Sequence, residues 1–381
     1  MKYIDEFREP QKAEALIQEI TKLSNSSPLK IMEICGGHTH SIFKYGIEGI
    51  LPHNIELIHG PGCPVCVIPK GRLDDAIYIS QQPNVILATF GDTIRVPGST
   101  VSLLQAKANG ADIRIVYSPL DSLKIAKDNP NKLVVFFVLG FETTSPSTAF
   151  TVLQAATENI HNFSVFSNHV LVIPALQFLL KNPDLKIDGF IGPGHVSIVI
   201  GTKPYEFIAQ KYHKPIVVSG FEPLDILQSI WMLMRQLAGN RCEVENQYHR
   251  LVQPEGNQVA LKAMHQVFEV REKFEWRGLG EILNSGLKIR PEYAQFDAEV
   301  KFNLPNAKVA DYKACKCGEI LKGVLKPWEC KVFGTTCTPE NPIGACMVSS
   351  EGACAAYYKY GHFAKNFPNP KNNAKKSIVT A

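Results

Sequence analysis

The chain reads as α/β: two similar parallel-sheet α/β domains flanking a cleft, followed by a C-terminal, mainly helical, Cys-rich domain. Three observations predict this class. Short apolar runs rich in β-branched residues alternate with helix-length segments, the pattern of parallel sheets covered on both faces. Each run ends at a loop of small or polar residues, the end at which open parallel sheets hold their ligands. Six of the ten cysteines crowd between Cys315 and Cys354, in a stretch interleaved with glycine and proline.

The elements follow in order. Residues 10–24 have helical spacing, with Leu16, Ile17, Ile20 and Leu23 on one face, and Asn25-Ser26-Ser27-Pro28 stops them. Strand runs then end at loops: Leu29–Ile34 at Cys35-Gly36-Gly37, Ile55–Ile58 at Gly60-Pro61-Gly62, Val85–Phe90 at Gly91-Asp92-Thr93, and Ile113–Tyr117 at Ser118-Pro119. The scheme repeats with Leu133–Leu139 before Gly140-Phe141-Glu142-Thr143-Thr144 and Val170–Ile173 before Pro174. Gly189–Ile191 precedes Gly192-Pro193-Gly194, and Ile216–Val218 precedes Ser219-Gly220-Phe221-Glu222. Residues 223–238 form an apolar helix, and charged helical sequence follows from Gly239. Gly60-Pro61-Gly62 echoes Gly192-Pro193-Gly194, and Gly140-Phe141-Glu142 echoes Gly220-Phe221-Glu222, a sign of two related units. The expected division is 1–125, 126–238 and 239–381, with a polar tail that frays beyond Phe367.

Composition narrows the function classes. A chain of 381 residues with 45% hydrophobic and 20% charged residues has ordinary globular make-up. A net charge of +4, spread along the chain, leaves no basic stripe for nucleic acid. The N-terminus carries acids rather than a signal-peptide run, and the most apolar stretch, Leu133–Leu139, is far short of the roughly 20 residues of a membrane span. A cytoplasmic protein without membrane or nucleic-acid partners is expected. Ten cysteines in a reducing compartment then point to metal or redox chemistry rather than to disulfide scaffolding.

Cys35-Gly36-Gly37-His38-Thr39-His40 places a thiol and two imidazoles on a strand-end loop whose glycines let a bulky ligand approach. A helix starting near His38 would turn amides and a favourable dipole toward a Cys35 thiolate. Cys63-Pro64-Val65-Cys66 has the Cys-x-x-Cys form of a redox dithiol; half of a zinc site is the competing reading, and it lacks a second such pair. The late set, Cys315, Cys317, Cys330, Cys337, Cys346 and Cys354, exceeds the four thiolates an iron–sulfur cluster takes. No histidine lies within residues 266–361, which favours all-sulfur ligation and leaves four-cysteine zinc as the alternative. The spacing Cys315-x14-Cys330-x6-Cys337-x16-Cys354 is the first choice of quartet, with Cys317 and Cys346 in reserve. Glu142, Thr143, Thr144 and His195 are polar at strand ends facing the expected cleft, as are Asp92 and Thr93. Cys242 has no partner nearby in sequence and reads as incidental.

These motifs, together with the ending Cys346-Met347-Val348-Ser349-Ser350-Glu351-Gly352-Ala353-Cys354, resemble in order those of the HypD family, maturation factors of [NiFe] hydrogenases. The resemblance implies two related α/β domains, a third domain with a [4Fe-4S] cluster, and a central cleft. It implies a scaffold on which a transient Fe(CN)2CO unit is built, with Cys35 and a cysteine of a small HypC-type chaperone as ligands to the iron. A HypE-type partner would deliver the cyanide ligands. Soft, low-spin iron prefers thiolate, and His38, Thr39, Thr143, Thr144 and backbone amides are candidate donors to cyanide nitrogen. The competing readings are an iron–sulfur-driven thiol–disulfide oxidoreductase and a zinc-stabilised adaptor.

Overall fold

Nine strands fall into two all-parallel sheets among the described residues, which are 5–25, 27–182 and 185–361 of a computed structural model. The tail beyond Phe367 lies outside them. The strands are β1 (Leu29–Glu33), β2 (Ile55–His59), β3 (Val85–Thr89), β4 (Ile113–Ile115), β5 (Leu133–Gly140), β6 (Phe163–His169), β7 (Gly189–Pro193), β8 (Ile216–Ser219) and β9 (Val244–Asn246). The first sheet runs β2-β1-β7-β8-β9 and the second β4-β3-β5-β6. Counted within its own sheet, each order begins second-first-third-fourth. The architecture is therefore duplicated, and the second sheet is inserted between the second and third strands of the first.

This grouping differs from a split at residues 125 and 126. β3 and β4 pair with β5 and β6 rather than with β1 and β2. The echoed motifs do not mark equivalent strands either. Both Gly-Pro-Gly loops close strands of the first sheet, and the Gly-Phe-Glu loops follow the third strand of one sheet and the fourth of the other. Strand pairing across more than a hundred residues is decided by which apolar faces fit, and short loop motifs carry no information about it.

In sheets of this order the crossover direction reverses between the first and third strands, and a crevice opens at their carboxyl ends. In the first sheet that point lies between β1 and β7, in register at Glu33 and Ile191. In the second it lies between β3 and β5. Helices Pro10–Leu23 and Pro223–Ala238 form as expected and bury Ile20 with Leu227, Ile230 and Met234 against one face of the first sheet.

Two elements depart from the expected pattern. The Val170–Ile173 run is not a strand: residues Val172–Leu180 are helical, and the strand is β6 just before it. β6 carries Ser164, Ser167, Asn168 and His169, all buried, so its polar side chains disguise a core strand. The region expected to be mainly helical holds the longest strands described, β10 (Phe268–Trp276) and β11 (Gly280–Ile289), in an antiparallel hairpin. Phe268, Phe274 and Trp276 are its buried residues, while Glu269, Arg271, Glu272, Lys273 and Glu275 stay at least partly exposed around a bulge between Arg271 and Lys273. The charges of β10 thus belong to the open side of a ribbon rather than to a helix. No helix among the described residues is long and apolar enough to cross a membrane.

Candidate functional site

Cys35 leaves β1 in extended conformation and caps the helix Gly36–Lys44, at the crevice between β1 and β7. The loop is tightly held. Cys35 N–H donates to Glu33 Oε2 at 2.8 Å, and Gly36 N–H donates to the Gly62 carbonyl at 3.1 Å. A side chain at Gly62 would stand 2.5 Å from Cys35 Cα, so that glycine lets the β1 and β2 loops touch. Glu33 is fully buried; parallel register sets it beside His59, whose Nδ1 is 2.8 Å from Glu33 Oε1, and Thr39 Oγ1 donates to the same oxygen. One carboxylate thus ties the Cys35 loop to both strands.

The helix begins where the sequence predicts, yet the thiol is not activated in the free protein. Burial, with the charges of Glu351 and Glu33, pushes the Cys35 pKa well above a free thiol's, against the opposing pull of the Gly37 and His38 amides. Desolvation outweighs the helix terminus here. Cys35 therefore rests as the protonated thiol.

His38 is buried with Nε2 at 3.1 and 2.9 Å from the Ser219 and Gly220 carbonyls, so Nε2 carries the hydrogen. Burial lowers its pKa and keeps the ring neutral, which leaves Nδ1 as a buried lone pair without a partner. Phe221 lies between two imidazoles, stacked on His38 at 4.6 Å and on His195 at 3.7 Å. His195 follows β7 on the exposed side of that stack, and burial lowers its pKa too.

The second sheet adds carboxylates. Glu142, after β5, is buried and accepts the Val172 amide at 3.0 Å; burial raises its pKa to about 7. Thr144 Oγ1 donates to the Phe141 carbonyl at 3.2 Å, and Thr143 is exposed. Burial pushes the pKa of Tyr205 up, and Glu142 and Cys35 lie near enough to add to that shift. Asp92, after β3, accepts from Ser349 Oγ at 2.9 Å. Glu351 sits over Gly36, where burial and the charges of Asp92 and Glu33 raise its pKa to about 7. Of the expected donors to cyanide, His38, Thr39 and Thr144 already spend their hydrogens inside the protein.

All ten cysteines are free, and most form one connected set. The Cys66 amide donates to Cys63 Sγ at 3.3 Å. Cys66 also hydrogen-bonds Cys346, which in turn meets Cys317. Cys315 Sγ and Cys317 Sγ are 3.3 Å apart, and Cys354 contacts Cys317. Cys337 lies close enough to feel both Cys315 and Cys317. Cys330 Sγ faces the Ala314 carbonyl at 3.8 Å, one residue before Cys315. Hydrogen bonds from Cys317 and Cys66 lower the Cys346 pKa to about 6, whereas burial raises that of Cys66. Cys242 stands apart, bonded to the His213 carbonyl.

Among the described residues no three His, Cys, Asp or Glu side chains converge as ligands to a single ion. A multinuclear iron–sulfur group takes its thiolates one per iron instead, from around a larger body. Late cysteines sharing a glycine-lined loop fit that need by donor chemistry: a Cβ on Gly344 would lie 2.5 Å from both Cys315 Sγ and Cys317 Sγ.

Sequence reasoning missed Glu33, His59, Phe221 and Glu351. A carboxylate inside an apolar strand run was the available signal for Glu33. Nothing in the sequence aligned Phe221 between two histidines 157 positions apart in numbering, His38 and His195.

The chain matches the family model HypD, described as the hydrogenase formation hypA family, over residues 11–361. It is 56% identical over 371 residues to the hydrogenase maturation factor HypD of Rhodobacter capsulatus, covering 95% of this chain and 98% of that one. It is 52% identical over 366 residues to HypD of Escherichia coli K12, covering 94% and 98%, and 53% identical over 368 residues to HypD of Azotobacter vinelandii, covering 95% and 97%. With matches of this extent, and with the motif loops gathered at the carboxyl ends of two parallel sheets, the chain belongs to the HypD family.

Proposed function

We propose that this chain serves hydrogenase maturation as a scaffold and redox protein for the Fe(CN)2CO centre, holding iron on Cys35 together with a HypC-type chaperone. The maturation role comes from the relatives' names and the shared family. The finer reading is carried by one observation: an unbroken line of contacts from the Cys35 loop through Gly62 and Cys63 to Cys66, Cys346 and Cys317. It joins a soft-metal ligand to a cysteine-rich loop suited to a cluster.

Cys315, Cys330, Cys337 and Cys354 would hold a [4Fe-4S] cluster, which when bound supplies single electrons. The chain's own residues do the rest. Cys346, with its lowered pKa, keeps a polar sulfur contact to Cys66, and Cys63 and Cys66 hold a dithiol beside the Cys35 loop. His38 Nδ1, an acceptor with no partner, is placed to accept a hydrogen bond rather than to donate one to cyanide. A HypE-type partner delivers cyanide at the exposed residues of these loops, among them His195 and Thr143.

Infrared spectroscopy of the anaerobically purified complex with its small partner tests this. Bands of metal-bound cyanide and carbonyl should appear in wild type and vanish in Cys35→Ala. Their absence from wild type with an intact brown cluster returns the protein to the thiol–disulfide oxidoreductase reading, which the same sulfur contacts favour.

A further inference from the structure

The β10–β11 hairpin reaches into the molecule and buries a cation at its tip. Arg277, just past β10, is 4% exposed. Its amide donates to the Val67 carbonyl at 2.7 Å, one residue after Cys66. The next residue, Gly278, has a φ of +75°, and a Cβ there would lie 2.6 Å from Gly318 Cα, directly after Cys317. The tip is therefore wedged between the Cys63/Cys66 segment and the loop of late cysteines. It is braced from behind by Trp276, which is fully buried and donates to Ser285 Oγ at 2.8 Å.

Arg277 Nε donates to Asp311 Oδ1 at 2.7 Å, but Nη1 is buried with no hydrogen-bond partner. A buried, partly unpaired guanidinium is costly and needs a compensating anion. Asp311 is a third exposed and neutralises it only in part. The segments that the tip meets carry cysteine sulfurs, Cys66 next to Val67 and Cys317 next to Gly318. Nothing in the maturation reading assigns Arg277 a role.

We propose that Arg277 sets the reduction potential of the cluster held by the late cysteines, its buried positive charge stabilising the reduced form. The inference rests on the reading that those cysteines hold an iron–sulfur cluster. Reduction adds one electron and makes the thiolate-ligated site one unit more negative. A fixed cation nearby favours that form, and net charge and hydrogen bonding at the sulfurs are established levers on such potentials. Asp311 opposes it, so the pair sets the potential between two limits.

The test is a redox titration, followed by electron paramagnetic resonance, of the full chain with its cluster reconstituted anaerobically. At fixed potential, Arg277→Gln should lower the ratio of reduced to oxidised cluster about tenfold, or about 59 mV for one electron. Arg277→Lys should recover most of that loss, and Asp311→Asn should shift the ratio the opposite way. Opposite shifts from the two partners are not the signature of a merely structural contact. If Arg277→Gln loses the cluster, the Arg277→Lys and Asp311→Asn pair still decides. Wild-type cluster content with unchanged potentials throughout overturns the proposal and leaves the cluster reading standing. A wild-type chain that binds no iron and sulfide overturns both.

Discussion

At the carboxyl edge of the first sheet Cys35 follows β1, Cys63 follows β2, His195 follows β7 and Phe221 follows β8. At the same edge of the second sheet Asp92 and Thr93 follow β3, and Glu142 follows β5. The two sheets share the order of their first four strands, so the difference lies in what the loops carry and how they pack. The first sheet's loops are locked onto each other by glycine contacts, a buried carboxylate and an aromatic stack. The second sheet's loops carry carboxyl groups, and its β5 and β6 loops meet where the Val172 amide donates to Glu142. A duplicated architecture has been divided into a soft, sulfur-and-ring side and a hard, oxygen side, with Tyr205 and Glu351 at the seam.

The largest effect expected from this comparison comes from one substitution made on both sides. In Gly62→Ala the new methyl meets the Cys35 and Ile34 backbone, which has no rotamer to move. In Gly91→Ala, after β3, the nearest neighbour is Ile115 Cγ2 at 3.7 Å, an ordinary contact. Gly62→Ala should cost roughly 3 kcal/mol or more, and Gly91→Ala less than about 0.5 kcal/mol. Urea unfolding of both variants checks this; equal losses would mean that the two crests are packed alike.

The second effect separates the sides by pH. Burial holds the Glu142 carboxyl at about 7 in the folded protein, above its unfolded value of 4.5. The folded state keeps the proton longer, so stability contributed by this group is full below pH 4.5 and is lost as pH rises through about 7. The shift corresponds to about 3 kcal/mol once pH exceeds 7. Glu142→Gln should therefore gain on wild type steadily between those limits and hold the gain above them. Denaturation midpoints measured across that range would show no such divergence if Glu142 is solvated when charged.

Much of this division was legible in the sequence. The strand-end loops, their cysteines and their histidines could be read because parallel sheets end their apolar runs at functional loops. The grouping of strands could not, because β3 and β4 look alike whether they pair with β1 or β5. β6 was hidden by Ser167, Asn168 and His169, polar residues that the fold buries and satisfies in pairs: Ser167 Oγ lies 3.0 Å from His169 Nδ1. The late cysteines were evident as a set, while the line from Cys66 through Cys346 to Cys317 depends on how three loops cross. Arg277 sat in a charged stretch where nothing distinguished it from its exposed neighbours. Residue chemistry is local, and contact across a cleft is not.

The smallest effect probes the ring stack that closes the sulfur side. Phe221 touches His38 and His195 face to face and meets Tyr248 edge-on at 6.0 Å. Phe221→Leu keeps the apolar volume and removes the ring contacts, so the loss should be about 1–2 kcal/mol. The more telling readout is His38, whose pKa is held down chiefly by burial. With its cover thinned, that pKa should rise toward the ordinary imidazole value, and His195, already exposed at its edge, should move less. Carbon-detected magnetic resonance of the two imidazoles against pH measures both. If His38 does not move when Phe221 is replaced, then the Ser219 and Gly220 carbonyls and the strand ends set its environment. The aromatic ring would then serve only to hold the β7 and β8 loops together.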